Sequence, residues 1–324
     1  MSVRARKGVR GWVCGFHREG LEDREEVGDR DGGRRRVFGD PEAEARFVQG
    51  LFVSEPLVQL GRPRPGVTYG HSSHPNDRAP YAKHVVVFTS GKGGVGKSTV
   101  AVNVAVALAQ MGKRVGILDA DVHGPSIPRL LGVLAERMRW NDRDKIEPIE
   151  NFGLRIMSVG LTTPESDTPL VWRSSVATSA LIQLLDDVDW GELDFLIIDM
   201  PPGTGDVQLT IAQELRIRSA VVVTTPQPVA TDDVRRAIRM LLEVGVKVAG
   251  VVENMSYLEV GGQRIYPFGR GGGRALSEDY GVPFLGEIPL DPEVGSMSDS
   301  GTPVAAVGTE SQRAPFVTIA QKLA

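Results

Sequence analysis

The sequence predicts an α/β fold, a mainly parallel β-sheet with helices on both faces and a phosphate-binding loop after its first strand. Three observations predict it. Short apolar runs alternate with helix-like stretches from His84 onward. The run Gly91-Lys92-Gly93-Gly94-Val95-Gly96-Lys97-Ser98-Thr99 lies between one such apolar run and an apolar helix. Acidic residues end two further runs, and parallel sheets bind their ligands at the C-terminal ends of their strands.

The elements follow in order. Gly20 to Asp40 is a mixed-charge stretch, including Glu22-Asp23-Arg24-Glu25-Glu26 and Gly32-Gly33-Arg34-Arg35-Arg36, with no sustained apolar period. Arg62-Pro63-Arg64-Pro65-Gly66 and His71 to Pro80 are rich in turn formers. Residues 1–82 are therefore expected to be a low-complexity, largely disordered segment with a short helix from Pro41 to Phe52. Arg34 to Arg36 reads as a solvated charge run rather than a polyanion contact. Residues 83–324 are expected to form the P-loop domain. Val85-Val86-Val87-Phe88 is a continuous apolar run, as suits a strand buried on both faces. Ser98 to Met111 reads as a helix closed by Gly112, and Val115 to Leu118 as the next strand. Leu154 to Val159 carries a weaker strand signal. Phe195 to Ile198, Ala220 to Thr224, Val246 to Val252 and Phe284 to Ile288 are clear ones. Thr231 is placed as the cap of a helix ending near Gly245, and Gly273 to Tyr280 is a helix closed by Gly281. Ser311 to Ala324 is a short helix candidate without the basic amphipathic face of a membrane anchor.

The chemistry concentrates in three places. In the loop, glycines let successive backbone N–H groups turn inward, and the helix N-terminus adds its positive dipole end. Gly91 to Thr99 are the candidate nucleotide contacts, with Lys97 reaching the β- and γ-phosphates and Ser98 holding Mg²⁺. Val115 to Leu118 leads into Asp119-Ala120-Asp121, and Phe195 to Ile198 leads into Asp199-Met-Pro-Pro-Gly-Thr-Gly-Asp206. Asp199 has the position of a Walker B aspartate, which holds Mg²⁺. Asp119, nearer the sheet, is expected to contribute to Mg²⁺ and to loop order, and Asp121 to orient the attacking water. Gly203 and Gly205 suit a switch loop that approaches the γ-phosphate. His123 is read as a loop histidine rather than a base. The activity expected is Mg²⁺-dependent ATP hydrolysis, with Lys97 and Asp121 in catalytic roles.

Composition narrows the class. The chain has 324 residues, 41% hydrophobic and 24% charged, ordinary for a globular protein. Its net charge of −4 argues against a basic nucleic-acid binder. No apolar stretch is long enough to span a bilayer, and the basic N-terminus lacks the apolar core of a signal peptide, so the cytoplasm is the expected compartment. The single cysteine, Cys14, excludes an intrachain disulfide and a cysteine-rich metal site within one chain.

Lys92 stands at a loop position that the plain phosphate-loop pattern leaves free. With it, Lys-Gly-Gly-Val-Gly-Lys-Ser-Thr resembles the deviant Walker A signature of the MinD/ParA/Mrp ATPases. That resemblance implies a homodimer in which Lys92 crosses the interface to the partner's nucleotide and joins Lys97 and Asp121 as a catalytic residue. Asp119-Ala-Asp-Val-His-Gly-Pro-Ser-Ile-Pro and Asp199-Met-Pro-Pro-Gly-Thr-Gly-Asp resemble the two switches of the Mrp/ApbC iron–sulfur cluster carriers. Val251 to Ser256, Phe268 to Gly273 and Gly286 to Asp291 resemble that branch's later blocks in the same order. The resemblance covers His84 to the C-terminus. It implies that Asn254 contacts adenine, that Pro289 lies beside the base, and that the ATPase acts in iron–sulfur cluster assembly or transfer to apoproteins. It also implies a [4Fe-4S] cluster held by a Cys-x-x-Cys pair from each subunit. Here the corresponding stretch, Tyr257 to Tyr266, has no cysteine, so the cluster ligands stay unassigned. The alternative reading is a MinD/ParA-like partitioning or regulatory ATPase that carries no cluster, and a third is a nucleotide-sensing adaptor.

Overall fold

The computed structural model describes residues 36–37, 77–122, 124–162 and 174–324. Most of the N-terminal segment expected to be disordered, its Pro41–Phe52 helix, Cys14 and His123 lie outside the described residues. An eight-stranded sheet organises the rest. Its strands are β1 (Ala82–Ser90), β2 (Val115–Asp119), β3 (Ile149–Asn151), β4 (Leu154–Ser158), β5 (Leu193–Asp199), β6 (Ile217–Thr224), β7 (Val248–Glu253) and β8 (Phe284–Glu287). Their spatial order is β8-β7-β6-β1-β5-β2-β4-β3. Every neighbouring pair is parallel except β3 with β4, an antiparallel edge hairpin.

Strand alternation divides the interior into two cores. In β1, Val85 and Val87 point to one face while Val86 and Phe88 point to the other, all four buried. The first face is covered by helices α2 (Ser174–Asp186), α3 (Asp206–Glu214), α4 (Pro228–Glu243) and α5 (Gly272–Tyr280), through residues such as Leu181, Ile211, Val234 and Leu276. The second is covered by α1 (Lys97–Gln110) and, at the far end of the chain, α6 (Pro292–Asp299) and α7 (Glu310–Leu323). Helix α1 is buried continuously from Val100 to Leu108, because the sheet lies on one side and Phe316, Ile319 and Ala320 of α7 on another. Asn103 ties α1 to the short helical turn Val304–Val307 that precedes α7: its Nδ2 donates to Thr99 O at 2.8 Å, and its Oδ1 accepts from Ala305 N at 2.8 Å. Among the described residues, no helix is long and apolar enough to cross a membrane.

Helix α4 departs from expectation at its start. It begins at Pro228, after Gln227, because proline's fixed φ favours the first helical position. Thr231 lies inside the first turn, and its hydroxyl donates back to Pro228 O at 2.8 Å instead of capping. Helix α5 ends as expected on Gly281, at φ 62°.

Ordered contacts begin before β1. Arg78 Nε pairs with Glu214 at the end of α3 at 2.5 Å, and its Nη1 pairs with Asp186 at the end of α2. Ala79 is buried, and Tyr81 stacks on Trp190 with ring centroids 6.3 Å apart. Arg36 and Val37 pair antiparallel with Trp140 and Arg139.

Candidate functional site

The ends of β1, β5 and β2 converge on one corner. Met200 N donates to Phe88 O at 3.0 Å, Gly203 N to Ser90 O at 2.9 Å, and Ala120 N to Asp199 O at 2.9 Å. These bonds hold the three loops in one register. The phosphate loop then turns through Gly94 and Gly96, at φ 79° and 80°. A left-handed residue at Gly96 lets α1 start immediately at Lys97, so the first-turn N–H groups face the loop's cavity. Gly91 meets a different demand: a Cβ there would lie 2.3 Å from Asp233 C and 2.4 Å from Val234 N, on the backbone of α4.

Lys97, Ser98 and Asp199 meet at this corner. Lys97 is buried, and its Nζ lies 2.6 Å from Asp199 Oδ1 and 4.0 Å from Asp121 Oδ2. Ser98 Oγ donates to the other oxygen of Asp199. Asp119 and Asp199, adjacent across β2 and β5, are both fully buried. Burial raises the Asp199 carboxyl above its ordinary value, with Lys97 opposing. Burial, then repulsion from Asp199, pushes Asp119 up to about 7. Two carboxylates sharing so little positive charge, beside a serine hydroxyl, fit a hard dication that completes its shell with phosphate oxygens and water. Among the described residues, no cluster of three or more His, Cys, Asp or Glu side chains forms a full protein cage.

Asp119 also orders its loop. It accepts from Asp121 N at 3.1 Å, Ile127 N at 3.1 Å and Ser158 Oγ at 3.0 Å. Asp121, nearly buried, is thereby held near Lys97. Lys92 is half-buried, and its carbonyl accepts from Ser90 Oγ at 2.9 Å. Gly93 and Gly94 are exposed. Thr99 lies one turn before Asn103 on α1, and its carbonyl holds that side chain. Val95 is buried, and its carbonyl accepts from Asn254 Nδ2 at 2.9 Å. Asn254 thus lies directly against the phosphate loop, and a Cβ on Gly96 would come within 2.2 Å of its Nδ2. Pro289 is carried alongside: Ile288 N donates to Glu253 O at 2.9 Å and Leu290 N to Tyr257 O at 2.7 Å. Of the sequence-predicted residues, Lys97, Ser98, Asp119, Asp121 and Asp199 form one cluster, and Asn254 with Pro289 forms the adjoining flank.

Two side chains escaped the sequence reading. Ser158, at the tip of β4, anchors Asp119; its only signal was the weak strand that ends there. Gln208 is buried in α3, and its Nε2 donates to Pro201 O at 2.9 Å and Pro202 O at 3.1 Å. It clamps the loop after Asp199, and nothing local in the sequence marks a helix glutamine for that task.

The cysteine-free stretch Tyr257 to Tyr266 contains a β-hairpin. Leu258–Val260 pairs with Gln263–Ile265 around Gly261-Gly262. Arg264 lies over the Tyr257 ring at 3.9 Å and Arg270 over the Tyr266 ring at 4.8 Å. Aromatic rings and guanidinium groups offer an iron–sulfur cluster no thiolate.

Residues 81–324 match a ParA-group family model described as NUBPL iron-transfer P-loop NTPase. A protein of Aquifex aeolicus named iron-sulfur cluster carrier protein is 48% identical over 249 residues, covering 76% of this chain and 68% of that one. A nucleotide-binding protein of Archaeoglobus fulgidus, solved in complex with ADP, is 39% identical with a TM-score of 0.61, covering 69% of this chain and 88% of that one. The septum site-determining protein MinD of Pyrococcus horikoshii, solved with Mg-ADP, shares the fold at 23% identity and a TM-score of 0.55, covering 74% of this chain and 95% of that one.

Proposed function

The chain belongs to the NUBPL iron-transfer P-loop NTPase family, and from that premise we propose that it is a Mg²⁺-dependent ATPase, acting as a dimer in iron–sulfur cluster assembly or delivery to apoproteins. The observation that carries the reading is the meeting of Lys97, Ser98 and Asp199, with Asp121 4.0 Å from Lys97 Nζ. Loop backbone and Lys97 bind the triphosphate, Lys97 exchanging part of its hold on Asp199 for phosphate oxygens. Ser98 and Asp199 would hold Mg²⁺, which would supply positive charge against the phosphate oxygens. Asp119 adds charge beside them and fixes the loop that presents Asp121. Asp121 orients a water in line with the γ-phosphorus, and hydrolysis leaves ADP and phosphate. Asn254 and Pro289 flank the adenine. Lys92 reaches the partner subunit's nucleotide.

The cargo side differs from the Cys-x-x-Cys pattern. The hairpin at Tyr257 to Tyr266 supplies no thiolate, so the cluster's thiolates belong chiefly to the client apoprotein, and ATP turnover drives its assembly or release there. Anaerobic transfer to an apo-ferredoxin, followed by absorption and iron quantification, tests this. ATP and Mg²⁺ are expected to accelerate cluster arrival, and the protein alone is expected to retain less than one cluster per dimer. A transfer rate indifferent to ATP would refute the reading.

A further inference from the structure

Strand β7 ends on a carboxylate that the phosphate chemistry does not use. Glu253 is fully buried, in register with Thr224 of β6 and Glu287 of β8. Its oxygens are satisfied by two donors. Ser256 Oγ donates to Oε1 at 2.6 Å, and the Gly273 backbone N–H donates to Oε2 at 2.6 Å. A buried carboxylate needs such partners, and the second comes from the first turn of α5, the positive end of its dipole.

The bond to Ser256 closes a turn on Met255, which sits at φ 54°. A non-glycine residue keeps that left-handed conformation only where its surroundings hold it. The product of the turn is the placement of Asn254. Its backbone N donates to Thr224 O at 2.8 Å, and its Nδ2 reaches Val95 O in the phosphate loop at 2.9 Å. Ser256 N donates to Ile288 O at 2.9 Å, so the Pro289 segment is fastened to the same turn.

We infer that Glu253 is a positioning residue for nucleotide binding: its carboxylate closes the Met255 turn that aims Asn254 at the phosphate loop, and ties that turn to the start of α5. The inference rests on the reading of Asn254 as a nucleotide contact. It makes the loop backbone, the adenine flank and the Pro289 segment one mechanical unit.

The test measures binding of a fluorescent ADP analogue and steady-state ATP turnover for Glu253→Ala, Glu253→Gln, Ser256→Ala and Asn254→Ala, and for the first and third each paired with Asn254→Ala. Glu253→Ala leaves two donors without their acceptor and is expected to raise Kd and KM about tenfold while kcat stays within about twofold. Glu253→Gln keeps the shape and one acceptor oxygen and is expected to recover most of that loss. Ser256→Ala, which opens only the turn, is expected to fall between. Added to Asn254→Ala, neither change costs more than about a further twofold, since both act through the same side chain. Wild-type Kd in Glu253→Ala, a fall in kcat at unchanged KM, or full additivity with Asn254→Ala would overturn the inference. Should Glu253→Ala not fold, Ser256→Ala with and without Asn254→Ala carries the same comparison and the same refuting outcomes. Wild-type Kd in Asn254→Ala would overturn the reading beneath it, whereas weakened binding there with Glu253→Ala unaffected overturns this inference alone.

Discussion

Gly91 and Gly93 lie two residues apart in one loop, and the structure assigns alanine very different costs at the two. At Gly91 a Cβ would stand 2.3 Å from Asp233 C, 2.4 Å from Val234 N and 2.6 Å from Asp233 Cβ. Carbon atoms in contact prefer separations of about 3.5–4.0 Å, so α4 must retreat by roughly an ångström. Two of the three obstacles are backbone atoms, which no side-chain rotation removes. Retreat is costly because α4 is seated through Ala230, Val234, Ala237, Ile238 and Leu241, all buried. Overpacking of this kind costs about 1–3 kcal/mol. For a domain of this size that corresponds to a melting temperature lower by roughly 2–12 °C. At Gly93 a Cβ meets nothing within 4 Å, and Gly93→Ala is expected to stay within about 0.5 kcal/mol of wild type. Thermal melts of the nucleotide-free proteins, followed by circular dichroism, make the comparison. A Gly91→Ala protein that melts with wild type, or a Gly93→Ala protein that falls as far as Gly91→Ala, would refute the reasoning.

Four other outcomes follow from the site. Lys97→Ala removes the cation between Asp199 and the phosphates and is expected to weaken ATP binding by at least about a hundredfold, measured by calorimetry; normal affinity would dismiss the phosphate-loop assignment. Asp121→Ala is expected to bind ATP but hydrolyse it about a hundredfold more slowly, trapping an ATP dimer visible by size exclusion with light scattering; unchanged turnover removes Asp121 from the mechanism. Lys92→Ala is expected to leave ADP affinity near wild type and to abolish ATP-dependent pairing in the same measurement; intact pairing and turnover end its cross-subunit role. Gln208→Ala frees the Pro201 and Pro202 carbonyls and is expected to lower the melting temperature by roughly 2–8 °C, from about 1–2 kcal/mol for the lost bonds; a wild-type melt would show that the clamp holds nothing.

The sheet was legible because its strands are buried on both faces. Val85 to Phe88 and Phe195 to Ile198 read as unbroken apolar runs, and a run of that kind has few alternatives. The phosphate loop was legible because phosphate binding leaves its glycines little choice of spacing. Edge elements were not. Ile149–Asn151 and the Leu258–Ile265 hairpin are at most half-buried and too short to show a sustained apolar run, so they emerge only when paired. Thr231 misled because a threonine near a helix start looks like a cap, whereas the proline three residues earlier sets the true beginning. The place of Asp121 beside Lys97 followed from its distance past a strand end. The partners that hold the site, Ser158 and Gln208, were not, because each acts through a contact that is long-range or reaches back from a helix, which local pattern does not record.

The cover that α7 lays over α1 has a consequence for how the molecule is made. A ribosome delivers the phosphate loop about two hundred residues before it delivers Phe316 and Ile319, and during that interval, at roughly 5–20 residues per second, the apolar flank of α1 has no lasting cover. The nascent chain therefore spends on the order of ten seconds or more with its glycine loop synthesised but its supporting helix unshielded. Packing of α1 therefore waits for α7, and a segment made late decides when a motif made early becomes usable.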